Sequence, residues 1–148
     1  MQEFVIAPAG ARAALIALLV LVPVFALLAL SLLGSRTSRF IVSPEGLRLR
    51  GDLYGRLIPA AQLNVASAAR IDFARSPDLR PARRTLGTGL PGYAAGWFRL
   101  ANGEKALLYL TDRTRAVYLP TNAGYSILIS PTDPEGFLAT LRTTIPAQ

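Results

Sequence analysis

The sequence predicts a mainly β fold, a barrel of about seven antiparallel strands with a C-terminal capping helix, preceded by one N-terminal transmembrane helix. Three patterns predict it. Residues 13–33 carry no charge, short apolar segments separated by turn signals fill residues 39–130, and apolar side chains recur at helical spacing over residues 134–145. We therefore expect an anchor segment over residues 1–35, with its helix at about 12–34, and one β domain over residues 36–148.

The apolar run of 21 residues corresponds to roughly 30 Å of helix, which matches the hydrocarbon core of a bilayer. Pro23 lies inside the run, and membrane helices tolerate such prolines. A cleaved signal peptide fits less well, because its apolar core is usually about 7–15 residues long. A buried core helix also fits less well, since a domain this small can hardly enclose a helix that is apolar on every side.

The charges that flank the run predict its orientation. Glu3 and Arg12 precede it, and four arginines follow it closely: Arg36, Arg39, Arg48 and Arg50. The positive-inside rule therefore places the C-terminal domain in the cytoplasm. Residues 3–6 could form a strand, and pairing of this strand with the domain would put both ends of the helix on the same side of the membrane.

A hairpin is predicted at the start of the domain. Two apolar segments, residues 39–42 and 47–50, flank the turn sequence SPEG, which has Pro and Gly at preferred turn positions. Strand alternation directs Leu47 and Leu49 to one face and Arg48 and Arg50 to the other. Two further strands are expected over residues 53–58 and 65–73.

Residues 75–92 hold three prolines and three glycines without any period, which is typical of a long loop. Gly87, Gly89 and Gly92 match the G-x-G-x-x-G spacing of dinucleotide sites. Such a site needs a strand before the first glycine and a helix after it, and neither is predicted here. The three glycines remain loop candidates that could cradle an anion beside Arg83 and Arg84, with ordinary loop geometry as the alternative.

The second half of the domain carries the clearest local signals. Asn102-Gly103 predicts a two-residue type I′ hairpin, with apolar pairs on both faces: Phe98 opposite Leu107 and Trp97 opposite Leu108. Two more strands are expected over residues 116–120 and 125–130. A helix then begins at Pro134, with Thr132 or Asp133 as its cap.

Several of these segments resemble the bacterial PH-like domains that are found behind short membrane anchors. The resemblance is carried by RTLGTGLPGY (84–93), GWF (96–98), TD (111–112), SPTDPEGF (130–137) and residues 40–63. These are mainly turn and packing residues, so they specify a fold more than a function. The resemblance implies a PH-like barrel, an address in the bacterial inner membrane and no catalysis.

The chain is basic, with 16 Lys and Arg residues against 9 Asp and Glu residues. The net charge of +7 follows the apolar run and favours anionic lipid headgroups, nucleic acid or acidic proteins as partners. Nucleic acid is the least expected, because no recognition motif accompanies the charge. The candidates for contact with an anion or a lipid are Arg75, Arg80, Arg83 and Arg84, and the alternative is a solvated basic loop.

The residue types that are missing argue against an enzyme. The chain has neither Cys nor His, which disfavours zinc and iron–sulfur sites and removes the commonest general base. We expect no cofactor, no metal and no catalytic residue. The leading hypothesis is a membrane-anchored binding module that engages a protein partner or the anionic membrane surface. The alternative is an accessory subunit whose membrane helix packs against a larger membrane protein.

Overall fold

The chain consists of two units, Met1–Leu33 and Gly34–Gln148, in a computed structural model that describes residues 10–51 and 54–146. The strand considered at residues 3–6 and the start of the strand expected over residues 53–58 lie outside the described residues. Each unit is treated by itself below.

The first unit holds most of a long helix, α1 (Ala11–Thr37), which has 27 residues and includes Pro23. None of the side chains over Arg12–Ala29 is buried, and large apolar residues project on every side of the helix. Of the helices in the described residues, α1 is the one long and apolar enough to cross a membrane. This exposure is unlike that of a buried core helix, which was one alternative for this segment.

The second unit is mainly β, as predicted, and its described part contains nine strands and one helix. The strands are β1 (Arg39–Ser43), β2 (Gly46–Arg50), β3 (Leu57–Pro59), β4 (Ala69–Ile71), β5 (Pro81–Leu90), β6 (Tyr93–Leu100), β7 (Lys105–Leu110), β8 (Ala116–Pro120) and β9 (Ser126–Ile129). They form a three-stranded sheet in the order β1-β2-β3 and a six-stranded sheet in the order β4-β8-β9-β7-β6-β5. One pair, β7 with β9, is parallel, whereas only antiparallel pairs were expected.

The centre of the six-stranded sheet is buried on both faces. Residues 106–108 of β7 and 126–129 of β9 have no exposed surface, although neighbouring side chains point to opposite faces. One face packs against the three-stranded sheet and against α2 (Pro134–Thr144). The other face, to which Ile71 of β4 contributes, packs against Phe73 and Leu79 of the segment after β4. That segment therefore closes the second half of the core.

The helix α2 begins where the sequence predicts. Asp133 is its cap and accepts a hydrogen bond from the Gly136 N–H at 3.0 Å, and Pro134 occupies the first turn. Leu138, Leu141 and the following Ile145 are buried in the core between the sheets. This packing confirms the predicted apolar face of the helix.

The first hairpin is also confirmed. Ser43 pairs with Gly46, so Pro44 and Glu45 form a two-residue turn between β1 and β2. Leu47 and Leu49 are buried, whereas Arg48 and Arg50 are exposed. The strand predicted over residues 65–73 is shorter than expected and is limited to β4 (Ala69–Ile71). Val65–Ser67 forms a 3-10 turn instead, which is held by a hydrogen bond from the Ser67 N–H to the Asn64 side chain.

The long loop predicted over residues 75–92 is wrong for most of its length, because β5 occupies Pro81–Leu90. Gly87 faces Gly96 across the β5–β6 pair, and both have positive φ, +142° and +112°. A Cβ on Gly87 would overlap the Ala95 carbonyl oxygen. Gly87 therefore serves the close approach of two strands. Gly89 is also in β5, and Gly92 alone of the three loop candidates lies in a turn.

The β6–β7 hairpin lies one residue away from the predicted register. Arg99 pairs with Lys105, so the opposed pairs further along are Phe98 with Ala106 and Trp97 with Leu107. A type I′ turn needs positive φ at both central residues, but Gly103 (+85°) has it and Asn102 does not. The loop has three residues instead, closed by a 2.9 Å hydrogen bond from the Leu100 N–H to the Glu104 carbonyl oxygen.

The glycine pair yields a prediction about stability. We expect Gly87→Ala to lower the free energy of unfolding by about 3 kcal/mol, because the new Cβ meets backbone and the residue must keep a positive φ. Gly89→Ala is the matched control, since its Cβ would have no atom closer than 3.6 Å. It should change stability by less than about 1 kcal/mol. Urea unfolding of the detergent-solubilised chain, followed by fluorescence of the single Trp97, measures both. Equal effects of the two substitutions would contradict this role of Gly87.

Candidate functional site

The outward side of the three-stranded sheet combines basic and apolar residues. Cross-strand pairing places Arg39 opposite Arg50, and Arg48 between Ile41 and Leu57. The three arginines are exposed, and Ile41 and Leu57 keep 42% and 37% of their surface accessible. We call this set, Arg39, Ile41, Arg48, Arg50 and Leu57, the outer basic face.

The positive charge of the outer basic face is not neutralised within the described part of the chain. No described carboxylate forms a salt bridge with Arg39, Arg48 or Arg50. Like charges directly opposite each other, such as Arg39 and Arg50, destabilise a sheet. An anion bound to this face would relieve that repulsion.

Trp97, which is partly buried against the core, contacts two further cations. The Arg56 guanidinium carbon is 5.0 Å from the centre of the Trp97 ring, and the Lys105 Nζ is 4.3 Å from it. The Tyr125 ring packs edge-on against the indole at 5.0 Å.

Lys105 also continues a row of exposed basic residues across three strands, in which Arg83 faces Arg99 and Arg99 faces Lys105.

A second basic site is concave. It is a cavity of about 880 Å³ at the edge of the six-stranded sheet, between β4, the segment before β5 and the turn before β8. Ile71 and Phe73 line it with apolar surface, and Asp72 is its one acidic lining residue. Four arginines line the cavity, and we call them the arginine pocket: Arg70, Arg75, Arg80 and Arg113.

The sequence of this domain is similar to that of a known protein family. The family model for the bacterial PH domain matches residues 38–145, which is most of the chain. The chain belongs to the bacterial PH domain family. No curated protein and no solved structure matches it. The match begins one residue after α1 ends, so the apolar helix precedes the family domain.

The bacterial PH domain separates the four arginines that the sequence singles out. Arg75 and Arg80 line the arginine pocket, whereas Arg83 and Arg84 are exposed on the edge strand β5 and do not line it. The pocket adds Arg70 and Arg113, which lie more than forty residues apart in the chain and meet where Arg70 Nη2 donates to the Thr114 carbonyl oxygen at 3.4 Å. No local spacing could have signalled this meeting.

A polar cluster at the start of β9 consists of Ser126, Glu104 and Tyr118, which hydrogen-bond to one another. Ser126 is fully buried and donates a hydrogen bond to the Glu104 carboxylate, and the Tyr118 hydroxyl donates to the same carboxylate at 3.1 Å. A serine without exposed surface cannot attack a substrate, so this cluster gives no nucleophile.

PH domains are in general non-catalytic binding modules, and the exposed features of this one are basic surfaces.

The cluster yields a prediction about pH. Burial first, and then the neighbouring Glu104 carboxylate, raise the pKa of Tyr118, although its hydrogen bond with Ser126 lowers this pKa. A raised pKa in the folded state contributes stability below the unfolded value of about 10, and this contribution is lost as pH rises through the folded value. We expect the wild type to lose stability above pH 10 more steeply than Tyr118→Phe does. Urea midpoints measured against pH test this expectation. Parallel alkaline profiles would contradict it.

Proposed function

We propose that this protein is a membrane-anchored, non-catalytic PH-like binding module whose outer basic face engages the anionic surface of the bacterial inner membrane from the cytoplasmic side. The observation that carries the proposal is the outer basic face itself. It presents arginines that no described carboxylate neutralises, together with exposed aliphatic side chains, and it begins at Arg39, two residues after the end of α1.

The anchor is supported by the exposure of α1. Eleven large apolar side chains of this helix are exposed, from Leu15 to Leu28. At about 2 kcal/mol for each side chain transferred out of water, leaving them in water would cost on the order of 20 kcal/mol. A bilayer removes that cost, and the peptide groups of a helix are already hydrogen-bonded internally, as the bilayer requires.

The chemistry of the outer basic face fits a lipid headgroup layer. Arginines close to an anionic leaflet contribute about 1 kcal/mol each, and neighbouring apolar side chains add area that enters the boundary with the acyl chains. Ile41 and Leu57 are placed for that role, because both lie beside Arg48 on the exposed side of the sheet. The anchor also keeps the domain at high effective concentration near the surface, so a weak affinity suffices.

The lipid contact of the outer basic face can be tested on the domain released from its anchor. A protease site is inserted at Ser38, the full chain is reconstituted into vesicles, and outward-facing domains are then cut from the anchor. The released domain should float with vesicles that contain phosphatidylglycerol, and high salt should release it, because headgroup attraction is screened. Arg39→Gln, Arg48→Gln and Arg50→Gln combined should weaken this binding about a hundredfold.

The matched control removes three charges elsewhere, by Arg83→Gln, Arg84→Gln and Arg99→Gln. It should retain binding within about threefold, since screened charge away from the contact contributes little. A larger loss in the control than in the outer-face variant would place the lipid contact on β5 and contradict the proposal. Release of the wild-type domain from every vesicle would also contradict it and favour a protein partner.

The orientation of the domain can be tested with a single introduced thiol. The chain has no cysteine, so Ala123→Cys, in the exposed turn before β9, introduces a single thiol. Because arginines follow the helix closely, the thiol should face the cytoplasm. A membrane-impermeant maleimide should then label inverted inner-membrane vesicles and leave intact spheroplasts unlabelled. Labelling of the spheroplasts instead would place the domain on the opposite side.

A further inference from the structure

The arginine pocket is a site distinct from the outer basic face. The outer basic face belongs to the three-stranded sheet, whereas the pocket is formed at β4, the edge strand of the six-stranded sheet. The pocket is concave and partly lined by apolar surface. Its volume lies within the range of small-molecule sites, about 300–1,000 Å³.

The segment that forms the pocket is held in place by its own hydrogen bonds. The Asp72 carboxylate accepts from the Ala74 N–H at 2.9 Å, and the Asp72 carbonyl oxygen accepts from the N–H groups of Arg75 and Ser76 at 3.0 and 2.8 Å. Phe73, next to Asp72, is buried in the second half of the core. The backbone of Arg75 is therefore fixed on both sides.

Backbone carbonyl groups also orient two of the four guanidinium groups. Arg80 Nε donates to the Phe73 carbonyl oxygen at 2.6 Å, which leaves its two terminal nitrogens for another acceptor. Arg70 Nη2 donates to the Thr114 carbonyl oxygen at 3.4 Å. Such positioning lowers the side-chain entropy that binding would otherwise cost.

The charge of the pocket is largely uncompensated. Asp72 directs one carboxylate oxygen into its own turn, and Glu135 lies 3.9 Å from Arg70 with 72% of its side chain exposed, so that pair contributes little. Arg75 and Arg113 have no salt bridge to any described carboxylate. Four guanidinium groups around one cavity therefore face a single lining carboxylate.

From this arrangement we propose that the arginine pocket binds a phosphate-bearing ligand, with Arg75 and Arg80 as its principal phosphate contacts and Arg70 and Arg113 beside them. Planar guanidinium groups match phosphate oxygens with paired hydrogen bonds, and the charge-assisted bonds are strong. The cavity exceeds one phosphate group in size, so the apolar part of its lining, Ile71 and Phe73, receives the rest of the ligand. The site does not depend on the membrane contact proposed above.

The test uses the full chain in zwitterionic detergent and two probes at constant ionic strength. Inorganic pyrophosphate represents a free phosphate, and short-chain phosphatidic acid represents a lipid headgroup. Calorimetric titration should detect saturable binding of at least one probe. Binding of pyrophosphate identifies a soluble ligand class, and binding of phosphatidic acid alone identifies a lipid headgroup.

Variants decide whether the pocket is responsible. Arg75→Gln with Arg80→Gln should weaken binding of the probe more than about tenfold, because two charged hydrogen-bonding groups are removed. Arg83→Gln with Arg84→Gln makes the same change in charge on β5, outside the pocket, and should change binding less than about twofold. Arg113→Gln is a second pocket variant that removes a guanidinium forming no hydrogen bond with the described residues, and it should weaken binding severalfold.

Three outcomes would overturn the proposal. The wild type binds neither probe, the double substitutions on β5 and in the pocket weaken probe binding equally, or the Arg113→Gln variant binds the probe as tightly as the wild type. If the Arg75 and Arg80 pair unfolds, the Arg113 variant alone decides. Vesicle flotation of the pocket variants keeps the two proposals apart. The pocket variants should float like the wild type, whereas the outer-face variant should still bind the phosphate probe.

Discussion

The six-stranded sheet has apolar side chains on both faces, and each face has to be covered. Leu107 and Leu108 point to opposite sides of β7, yet neither has any exposed surface. The three-stranded sheet and α2 cover one side. Phe73 and Leu79 cover the other, so the segment between β4 and β5 must lie against the sheet. The arginine pocket is formed by this same segment, and the packing of the core therefore fixes the place of a candidate binding site.

The three-stranded sheet has a different constraint, because it covers the core with one face only. Its inner side buries Leu47, Leu49 and Ile58, and its outer side is free to carry Arg48 and the residues around it. Exposed apolar residues of a small domain need no special explanation singly, but their place between arginines favours a contact with lipid. The outer basic face thus lies on a sheet face that covers nothing, whereas the arginine pocket lies in a segment that covers the core.

The sequence predicts those parts of the fold that depend on neighbours in the chain. The long apolar helix, the first hairpin with its alternating Leu47 and Arg48, and the cap at Asp133 are local patterns, and all of them are present. β5 could not be predicted, because Gly87 is required by the close approach of Ala95 and Gly96 on another strand. The same holds for the arginine pocket, since Arg70 and Arg113 meet only through the β4–β8 pairing. Arg39, Arg48 and Arg50 are visible in the sequence, but their common exposed face follows from strand register.

The most direct measurement is the depth of Ile41 at the membrane. The chain lacks cysteine, so Ile41→Cys can carry one fluorophore, and Ala123→Cys provides a reference position on an exposed turn. Both proteins are reconstituted into anionic vesicles that contain lipids brominated on the acyl chain, which quench only nearby fluorophores. A membrane contact through the outer basic face predicts strong quenching at position 41 and weak quenching at position 123, with the difference reduced in neutral vesicles. Quenching at position 41 no stronger than at position 123 would contradict it.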